Sequence, residues 1–248
     1  MKKLYLLMFI SLVLCILCAC ENLGDACQEG SALPNSQVVW SDYEVEVCDG
    51  MATILYHQYD PEAQVITIPE TINANAVTAI GADAFYQHTL TEEIVLPQSL
   101  ERIEGGCFYR CYSLQKSTIP SKVNQILSNP YFRCSSLEAI TVDGENQYFC
   151  DIDGVLFDKQ ATTLIAYPEG KADESYTVPA SVTKINGDAF GYQTSIKKLY
   201  IFSNVTEFDD YNMFTYPEEI TLYVEPGSVA EEYAQKHNLN YELVSEEQ

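Results

Sequence analysis

A period of 23 residues runs through most of the chain, and it constrains the fold more than any other feature of the sequence. The period recurs in two columns, one of isoleucines and one of aromatic residues: Ile80, Ile103 and Ile126; Phe85, Phe108 and Tyr131. A unit of this size cannot bury its own apolar face, but stacked units form a continuous core. The period therefore predicts a strand-rich α/β solenoid, a curved stack of coils with short helical turns.

Each unit carries the same motif. It begins with Ile-Gly-x-x-Ala-Phe, continues with x-x-Cys-x-x-Leu, and ends in a strand that is followed by proline. Alternating residues at 93–96 and 198–201 have the period of two that a half-buried strand requires. These motifs resemble the BspA-like leucine-rich repeats of bacteria, from about Tyr43 to the C-terminus. The resemblance implies a leucine-rich-repeat solenoid and a surface protein that acts in adhesion or host contact.

The first residues have the features of an export signal. Two lysines precede an apolar run at 4–18, which is shorter than the roughly 20 residues that span a bilayer. The motif Leu-Cys-Ala-Cys at 17–20 resembles the lipobox of bacterial lipoproteins. We therefore expect a signal peptide at 1–19, lipid on Cys20, and a polar tether at 20–37. An ordinary secretory cleavage nearby, which would leave Cys20 unmodified, is the alternative.

The segments around the repeats are predicted to form caps and an insertion. We expect N-terminal capping strands at 38–76, the repeat solenoid at 77–224 with a hairpin insertion at about 146–172, and a C-terminal cap at 225–248. The first cap contains a hairpin that turns at Asp49-Gly50, and the insertion contains one that turns at 158–162. Ser228, with Glu231 three residues later, has the spacing of a helix capping box. Caps of this kind close the exposed ends of a stack.

The charge balance and the motif content exclude several classes of function. The chain has 13 Lys and Arg against 36 Asp and Glu, a net charge of −23. Such a surface repels phosphate backbones, which excludes nucleic acid as a partner. No nucleophile elbow, zinc-protease motif or phosphate-binding glycine loop occurs, and the three histidines are scattered. We therefore expect no catalysis and no cofactor.

The sequence does not indicate a metal site. The cysteines that follow Cys20 have neither CxxC nor Cys/His spacing, which excludes zinc. The segment Asp-x-Asp-Gly at 151–154 is similar to the start of a calcium loop, but its glycine stands fourth and its twelfth residue is Thr162. An EF-hand has glycine at the sixth position and glutamate at the twelfth. We interpret this segment as a turn.

One column of the repeat contains Cys111 and Cys134. His88 and Gln193 replace the cysteine in two other units. A column of this kind faces the interior, where a cysteine packs as a small hydrophobic residue. Adjacent coils also bring such residues near the separation that a disulfide requires. Packing is the favoured interpretation, and a disulfide is the alternative.

The repeat register also predicts a candidate binding face. One residue of each strand lies between two inward positions, and these residues form one outward ladder: Val95, Thr118, Thr141, Thr177, Tyr200 and Tyr223. A mixed stripe flanks the ladder: Glu93, Lys116, Lys198 and Thr221. The two tyrosines are the candidate anchors for a partner, because aromatic side chains dominate many interfaces. The alternative is that exposed tyrosine and threonine simply suit a strand.

Together these features predict a lipid-anchored binding module of the bacterial cell envelope. Its N-terminal lipid would contact the outer membrane, and its sheet face would bind a protein or a glycan at the cell surface. Adhesion is what the family resemblance implies. The alternative is a non-catalytic structural or assembly component that faces the periplasm.

Overall fold

The computed structural model describes the backbone of residues 36–193, 195–209 and 213–244, and the side chains from residue 41 onward within these ranges. The predicted signal peptide, the lipidation site Cys20 and most of the tether lie outside the described residues. Within the ranges given above, no helix is long and apolar enough to cross a membrane.

Three antiparallel strands form the N-terminal cap. They are β1 (Ser36–Trp40), β2 (Tyr43–Cys48) and β3 (Met51–His57). Asp49 and Gly50 form the turn from β2 to β3 with φ angles of 50° and 79°, which suit a tight hairpin. Two strands of the first coil follow the cap: β4 (Val65–Thr67) and β6 (Asn75–Ile80), with β5 (Thr71–Ile72) antiparallel to β6. β3 pairs in parallel with β6, so the cap extends one sheet of the solenoid beyond its first coil.

Successive coils then pair strand on strand, in parallel. One sheet, here called the N-terminal sheet, consists of β4, β7 (Glu93–Val95), β9 (Lys116–Ile119) and β11 (Ala139–Val142). A second ladder continues from β6 to β8 (Arg102–Ile103) and β10 (Gln125–Ile126). Glu93 pairs with Lys116, and Lys116 pairs with Ala139, which preserves the 23-residue period in space. The predicted solenoid is confirmed.

The hairpin insertion interrupts the stack after β11. Its antiparallel strands are β12 (Phe149–Ile152), β13 (Val155–Asp158) and β14 (Thr163–Ala166). The turn between β12 and β13 lies on β11, where Gly154 O accepts the Ile140 N–H at 2.9 Å. The Asp151 carboxylate accepts the Val142 N–H at 2.8 Å. Because these bonds occupy the free edge of β11, the next coil cannot continue the same sheet.

Beyond the insertion the stack resumes with its own strands. The C-terminal sheet is parallel and consists of β15 (Ser175–Thr177), β17 (Lys198–Ile201), β19 (Thr221–Val224) and β20 (Asn240–Leu243). The other ladder runs from β14 to β16 (Lys184–Ile185) and β18 (Glu207–Phe208). A 3-10 helix at Pro217–Glu219 precedes β19, and α1 (Val229–Lys236) precedes β20.

The helix α1 caps the last coil. Ser228 is its N-cap, and the Ser228 hydroxyl accepts the Glu231 N–H at 3.2 Å. The Glu231 carboxylate accepts the N–H of Gly227 at 2.7 Å, one residue before the position that a reciprocal capping box uses. Ala230 and Ala234 are buried, so the helix covers the apolar end of the stack.

The buried side chains form two hydrophobic clusters. We call the regions around them the N-terminal stack (residues 43–142) and the C-terminal stack (residues 167–244). A column of rings runs through each: Phe85, Phe108 and Tyr131, with centroids 5.7 and 5.4 Å apart, and Tyr167, Phe190 and Phe214, with centroids 5.5 and 5.7 Å apart. These separations are close to the spacing of neighbouring strands, about 4.8 Å. The interior is therefore the same one-ring-per-coil arrangement in both stacks.

The segments that follow the rings are hydrogen-bonded turns. In a central coil, the Cys111 N–H donates to Phe108 O at 3.1 Å, and the Leu114 N–H donates to Cys111 O at 3.1 Å. Each bond closes a turn of four residues, so the short helical turns expected from the sequence are single turns at this position.

Candidate binding face

The residues of the candidate binding face lie outward on their strands. Val95 is 39% exposed, Thr118, Thr141 and Thr177 are exposed, and Tyr200 and Tyr223 are half-buried. Their neighbours Leu199 and Leu222 are fully buried. The alternation of outward and inward side chains therefore follows the period of two in these strands.

The six positions do not form one ladder, in contrast to the expectation from the sequence. Val95, Thr118 and Thr141 lie on the N-terminal sheet, whereas Thr177, Tyr200 and Tyr223 lie on the C-terminal sheet. The insertion separates the two sheets, because its first turn occupies the edge of β11 that β15 would otherwise pair with. The molecule thus carries two short ladders of different chemistry.

The N-terminal ladder is composed of small side chains that satisfy one another. The Thr118 and Thr141 hydroxyls are hydrogen-bonded at 2.9 Å, and the Thr141 hydroxyl also lies 3.3 Å from Ser117 O. Glu93 and Lys116 flank these residues and are exposed. This ladder offers methyl groups and few unused polar atoms.

The C-terminal ladder is aromatic. The Tyr200 and Tyr223 rings stack with centroids 4.6 Å apart and an interplanar angle of 23°. The ammonium group of Lys198 lies 6.0 Å from the centre of the Tyr223 ring, at the outer limit of a cation–π contact. The neighbouring Leu199 and Leu222 are buried on the opposite face, so the strands that carry the two tyrosines are anchored in the core.

The last strand adds a rung that the sequence analysis missed. Glu242 of β20 pairs with Tyr223 of β19, which extends the ladder by a carboxylate. Thr221 pairs with Asn240, only 19 residues later, so this rung breaks the 23-residue period. The alternation of polar and apolar residues at 240–243, after the predicted helix, is the sequence feature that could have indicated this strand.

An open depression of about 450 Å³ lies over the C-terminal ladder. Its lining combines three aromatic rings, three hydroxyl groups, one carboxylate and the apolar end of β20: Thr177, Tyr200, Phe202, Tyr223, Glu242, Leu243 and Val244. Aromatic faces beside hydrogen-bonding groups can hold a ligand by contact.

Two histidines that looked scattered in the sequence meet where the cap joins the first coil. His57 Nδ1 lies 2.8 Å from His88 Nε2, and both side chains are buried. His88 Nδ1–H donates to Phe85 O at 2.9 Å, so its Nε2 must accept the hydrogen from His57 Nδ1. Burial, and then the proximity of His88, lower the pKa of His57 to about 4, and burial lowers the pKa of His88. The pair is a neutral structural contact.

Two buried carboxylates close the interruption in the stack. In regular coils the backbone N–H donates to a carbonyl of the next coil, as Arg110 does to Phe132 O at 2.9 Å. At the insertion the Arg133 N–H donates instead to the Glu169 carboxylate at 2.9 Å, and the Asn129 N–H donates to the Asp188 carboxylate at 3.0 Å. We call this region the seam.

The seam carboxylates titrate abnormally because they are buried. Burial raises the pKa of Glu169 to about 7, although bonds from the Arg133 and Tyr192 N–H groups oppose the shift. Burial also raises the pKa of Asp188. Both groups serve as acceptors for the backbone.

Cys111 and Cys134 are free thiols in the interior. Both are fully buried, and their S–H groups donate to Phe85 O at 3.3 Å and to Phe108 O at 3.2 Å. The packing interpretation is therefore confirmed over the disulfide. Gln193 fills the same column and donates to Pro168 O at 3.2 Å, so its role in the column is similar.

The segment at 151–154 is a turn, as interpreted from the sequence. The Asp153 carboxylate forms an ion pair with Lys171 at 3.2 Å, and the Asp151 carboxylate binds the backbone of β11. Among the residues that the structure describes, no group of three or more His, Cys, Asp and Glu side chains could hold a metal ion.

Comparison with known proteins identifies the family. A family model of the BspA type leucine-rich repeat region matches residues 59–170 and 169–221, in six copies. No curated protein matches the chain. Among solved structures, a leucine-rich repeat protein of Eubacterium ventriosum is 15% identical and aligns with a TM-score of 0.42 over 80% of this chain and 74% of its own.

Two other solved structures are similar to a comparable degree. A leucine-rich cell surface protein of Faecalibacterium prausnitzii is 18% identical, with a TM-score of 0.37 over 82% of this chain and 78% of its own. A leucine-rich repeat protein of Bacteroides ovatus is 21% identical, with a TM-score of 0.43 over 73% of this chain and 43% of its own. The family model covers more than half of the chain, and its matched residues contain the parallel coils described above. The chain therefore belongs to the BspA-type leucine-rich repeat family.

Proposed function

We propose that the protein is a non-catalytic binding module of the bacterial cell envelope, which contacts a protein or glycan through the outward face of its C-terminal sheet. The stacked pair of Tyr200 and Tyr223 beside an open depression is the observation that carries this proposal. Attachment to the outer membrane through lipid on Cys20, exposure at the cell surface and a role in adhesion are parts of the same proposal.

The tyrosine pair has the properties of an interface anchor. Tyrosine offers a large contact area at a small entropic cost, because few of its torsions must be fixed on binding. Stacking of the two rings on each other reduces that cost further, because it already restricts their torsions. Interfaces commonly concentrate their binding energy in a few such residues.

The described side chains support a role in binding more than one in catalysis. Among the described side chains, the buried histidines and carboxylates, His57, His88, Glu169 and Asp188, are all engaged in structural hydrogen bonds. Glu92 and Glu93, an adjacent acidic pair, are exposed to solvent. Acid–base catalysis uses groups that are held against the substrate in a sheltered site, whereas these two side chains point into solvent.

Substitution of the two tyrosines tests the binding face. The Tyr200→Ala/Tyr223→Ala variant should weaken binding to a ligand found by screening protein and glycan arrays, by about 1 to 3 kcal/mol. Its melting temperature should stay almost unchanged, because the side chains point outward. Leu199→Ala/Leu222→Ala is the matched control and should lower stability first. Normal binding by the tyrosine variant, or equal unfolding of both variants, would refute the proposal.

Substitution of Cys20 tests the anchor. The Cys20→Ala variant should leave the membrane fraction and lose labelling by a radioactive fatty acid. A variant that stays membrane-bound and labelled would exclude lipidation at this residue. Protease treatment of intact cells tests the location, because a surface protein is cleaved and a periplasmic structural component is protected.

A further inference from the structure

Four turns at one edge of the solenoid contain no acidic residue. Six turns follow the aromatic rings, and these four, here called the turn edge, lie at 85–91, 108–114, 131–137 and 190–193. The other two turns, at 167–173 and 214–220, carry Glu169, Asp173, Glu218 and Glu219. Asp and Glu account for 36 of the 248 residues, yet none lies in these four segments. These four turns therefore contribute no negative charge to the surface.

The turn edge instead carries two of the three arginines of the chain. Arg110 and Arg133 are 23 residues apart and occupy the same position of successive coils. Both have left-handed backbones, with φ angles of 64° and 57°. The third arginine, Arg102, lies on β8 and forms an ion pair with Glu104 at 3.7 Å.

Tyrosines hold these two guanidinium groups. Arg110 Nη1 donates to the Tyr86 hydroxyl at 3.0 Å, and its Cζ lies 5.1 Å from the centre of the Tyr109 ring. The Cζ of Arg133 lies 4.1 Å from the centre of the Tyr192 ring. Such contacts orient a guanidinium group and leave its charge in place.

Neither arginine of the turn edge is neutralised by an ion pair. Among the described side chains, no carboxylate forms a salt bridge with Arg110 or Arg133, although the chain is rich in carboxylates. The Nε–H of each is also buried without an acceptor in the same part of the chain. The carboxylate of Glu169 lies near Arg133, but it accepts the backbone N–H groups of the seam. The guanidinium groups therefore have donor capacity that the protein does not use.

Exposed rings surround the arginines. Tyr86, Tyr112 and Tyr216 are 38%, 38% and 39% exposed. The Tyr192 ring contacts Phe132 at 6.4 Å and Tyr216 at 6.3 Å between centroids. The contact between Tyr192 and Phe132 crosses the seam, so the turn edge is continuous at the place where the sheets are interrupted.

We propose that the turn edge is a second docking surface, which binds an acidic polypeptide segment. Side-chain carboxylates of the partner pair with Arg110 and Arg133, because the planar guanidinium fork matches a carboxylate and forms charge-assisted hydrogen bonds. The exposed tyrosines contact the partner beside these pairs. Tyrosine and arginine are the residue types that interfaces between proteins enrich.

Charge complementarity favours an acidic partner over a basic or neutral one. The chain as a whole carries a net charge of −23, whereas the turn edge offers two positive charges in turns that contain no acidic residue. At physiological ionic strength charges act over about 8 Å, so the local arginines outweigh the distant carboxylates. This surface is separate from the tyrosine ladder of the C-terminal sheet, and its test is independent of the proposed function above.

Binding of a fluorescently labelled oligoglutamate peptide tests the proposal. We expect the intact protein to bind this probe in fluorescence anisotropy at physiological ionic strength, and to lose affinity at about 1 M salt, where screening also reaches the contacts with the arginines. The Arg110→Gln/Arg133→Gln variant should bind at least tenfold more weakly. Glutamine suits this position, because Gln87 occupies the same column with a similar φ of 63°.

Two further variants make the test specific. Arg102→Gln removes the same charge from β8 and should leave binding unchanged. Ser135→Glu places a carboxylate on the turn edge without removing an arginine, and should also weaken binding at least tenfold. Equal loss in Arg102→Gln, or full binding by Ser135→Glu, would overturn the proposal, since net charge alone or another surface would then account for the affinity.

The identity of the partner is tested with a second probe. An oligogalacturonate presents carboxylates on a glycan, and it should bind more weakly than oligoglutamate. A glycan that binds more tightly, or an intact protein that binds neither probe, overturns the assignment to a polypeptide. Sedimentation of the protein alone should show a monomer, because a dimer that dissociates in the Arg110→Gln/Arg133→Gln variant would identify a second copy as the occupant.

Discussion

The N-terminal and C-terminal stacks have the same kind of interior but differ in their outward-facing side chains. In both, one ring per coil stacks at 5.4 to 5.7 Å. The outward ladder is threonine-rich in the first, with Thr118 bonded to Thr141, and aromatic in the second, with Tyr200 stacked on Tyr223. The interior must repeat because each coil packs on the next, whereas outward residues carry no such constraint. Differences between coils are therefore the better guide to function.

The seam shows what joins two stacks that do not share a sheet. Side-chain carboxylates of Glu169 and Asp188 replace backbone carbonyls as acceptors there. A hydrogen bond to a carboxylate changes when the carboxylate is protonated, whereas a bond between two backbone groups does not depend on pH in this way. The two stacks should therefore respond differently from the seam when pH or packing is changed.

Removal of an interior ring should show the largest difference between the stacks. Phe108 is almost fully buried and lies between the Phe85 and Tyr131 rings. Phe108→Ala should therefore lower the free energy of unfolding by about 3 to 5 kcal/mol in chemical denaturation. Phe214→Ala should cost less, because this residue lies in the last coil. Equal losses would contradict a stack in which end coils have fewer neighbours.

Substitution of a glycine at the seam should have the next largest effect on stability. A Cβ at Gly170 would lie 2.5 Å from the backbone of Ser136, which cannot move as a side chain can. Gly170→Ala should therefore destabilise the protein by about 1 to 3 kcal/mol. Gly144→Ala is the control, because a Cβ there meets nothing within 4 Å. Similar stabilities of the two variants would show that the seam tolerates separation of the stacks.

The pH dependence of the seam should be visible in a single substitution. The pKa of Glu169 is raised from 4.5 to about 7, so its contribution to stability is complete below pH 4.5 and is lost as pH rises to about 7. Glu169→Gln, which retains an acceptor and cannot ionise, should remove this part of the pH dependence. Denaturation of both proteins between pH 4 and 8 measures it, and parallel curves would contradict a buried carboxylate.

The N-terminal cap should respond to pH in the opposite direction. The pKa of His57 is lowered from 6.5 to about 4, so its contribution is complete above pH 6.5 and is lost as pH falls through about 4. Asp42, which opposes the shift, is the charged group that acts on His57. His88→Cys restores the column residue of other coils and should reduce the loss. Hydrogen exchange of β2 and β3 between pH 7 and 4 measures the effect.

The coil and its register could be predicted from the sequence because both follow from residue spacing. The division of the outward ladder into two could not be predicted from the sequence. The 23-residue period does not show that Gly154 and Asp151 bind the edge of β11. The contact between His57 and His88 spans 31 residues and fits no period. Arg110 and Arg133 did share the 23-residue spacing, but they lie in turns for which the pattern predicted no contact.

The pairing of Tyr200 with Tyr223 in successive coils of the C-terminal sheet has an evolutionary consequence. Tyr200 and Tyr223 are in register, so a tandem duplication of a segment such as 198–220 would insert a complete coil. The new coil would add its own tyrosine to the ladder, and it would pack on both sides against coils with the same interior residues. A lineage can therefore lengthen or shorten this recognition surface by recombination within the gene, without inventing a new core.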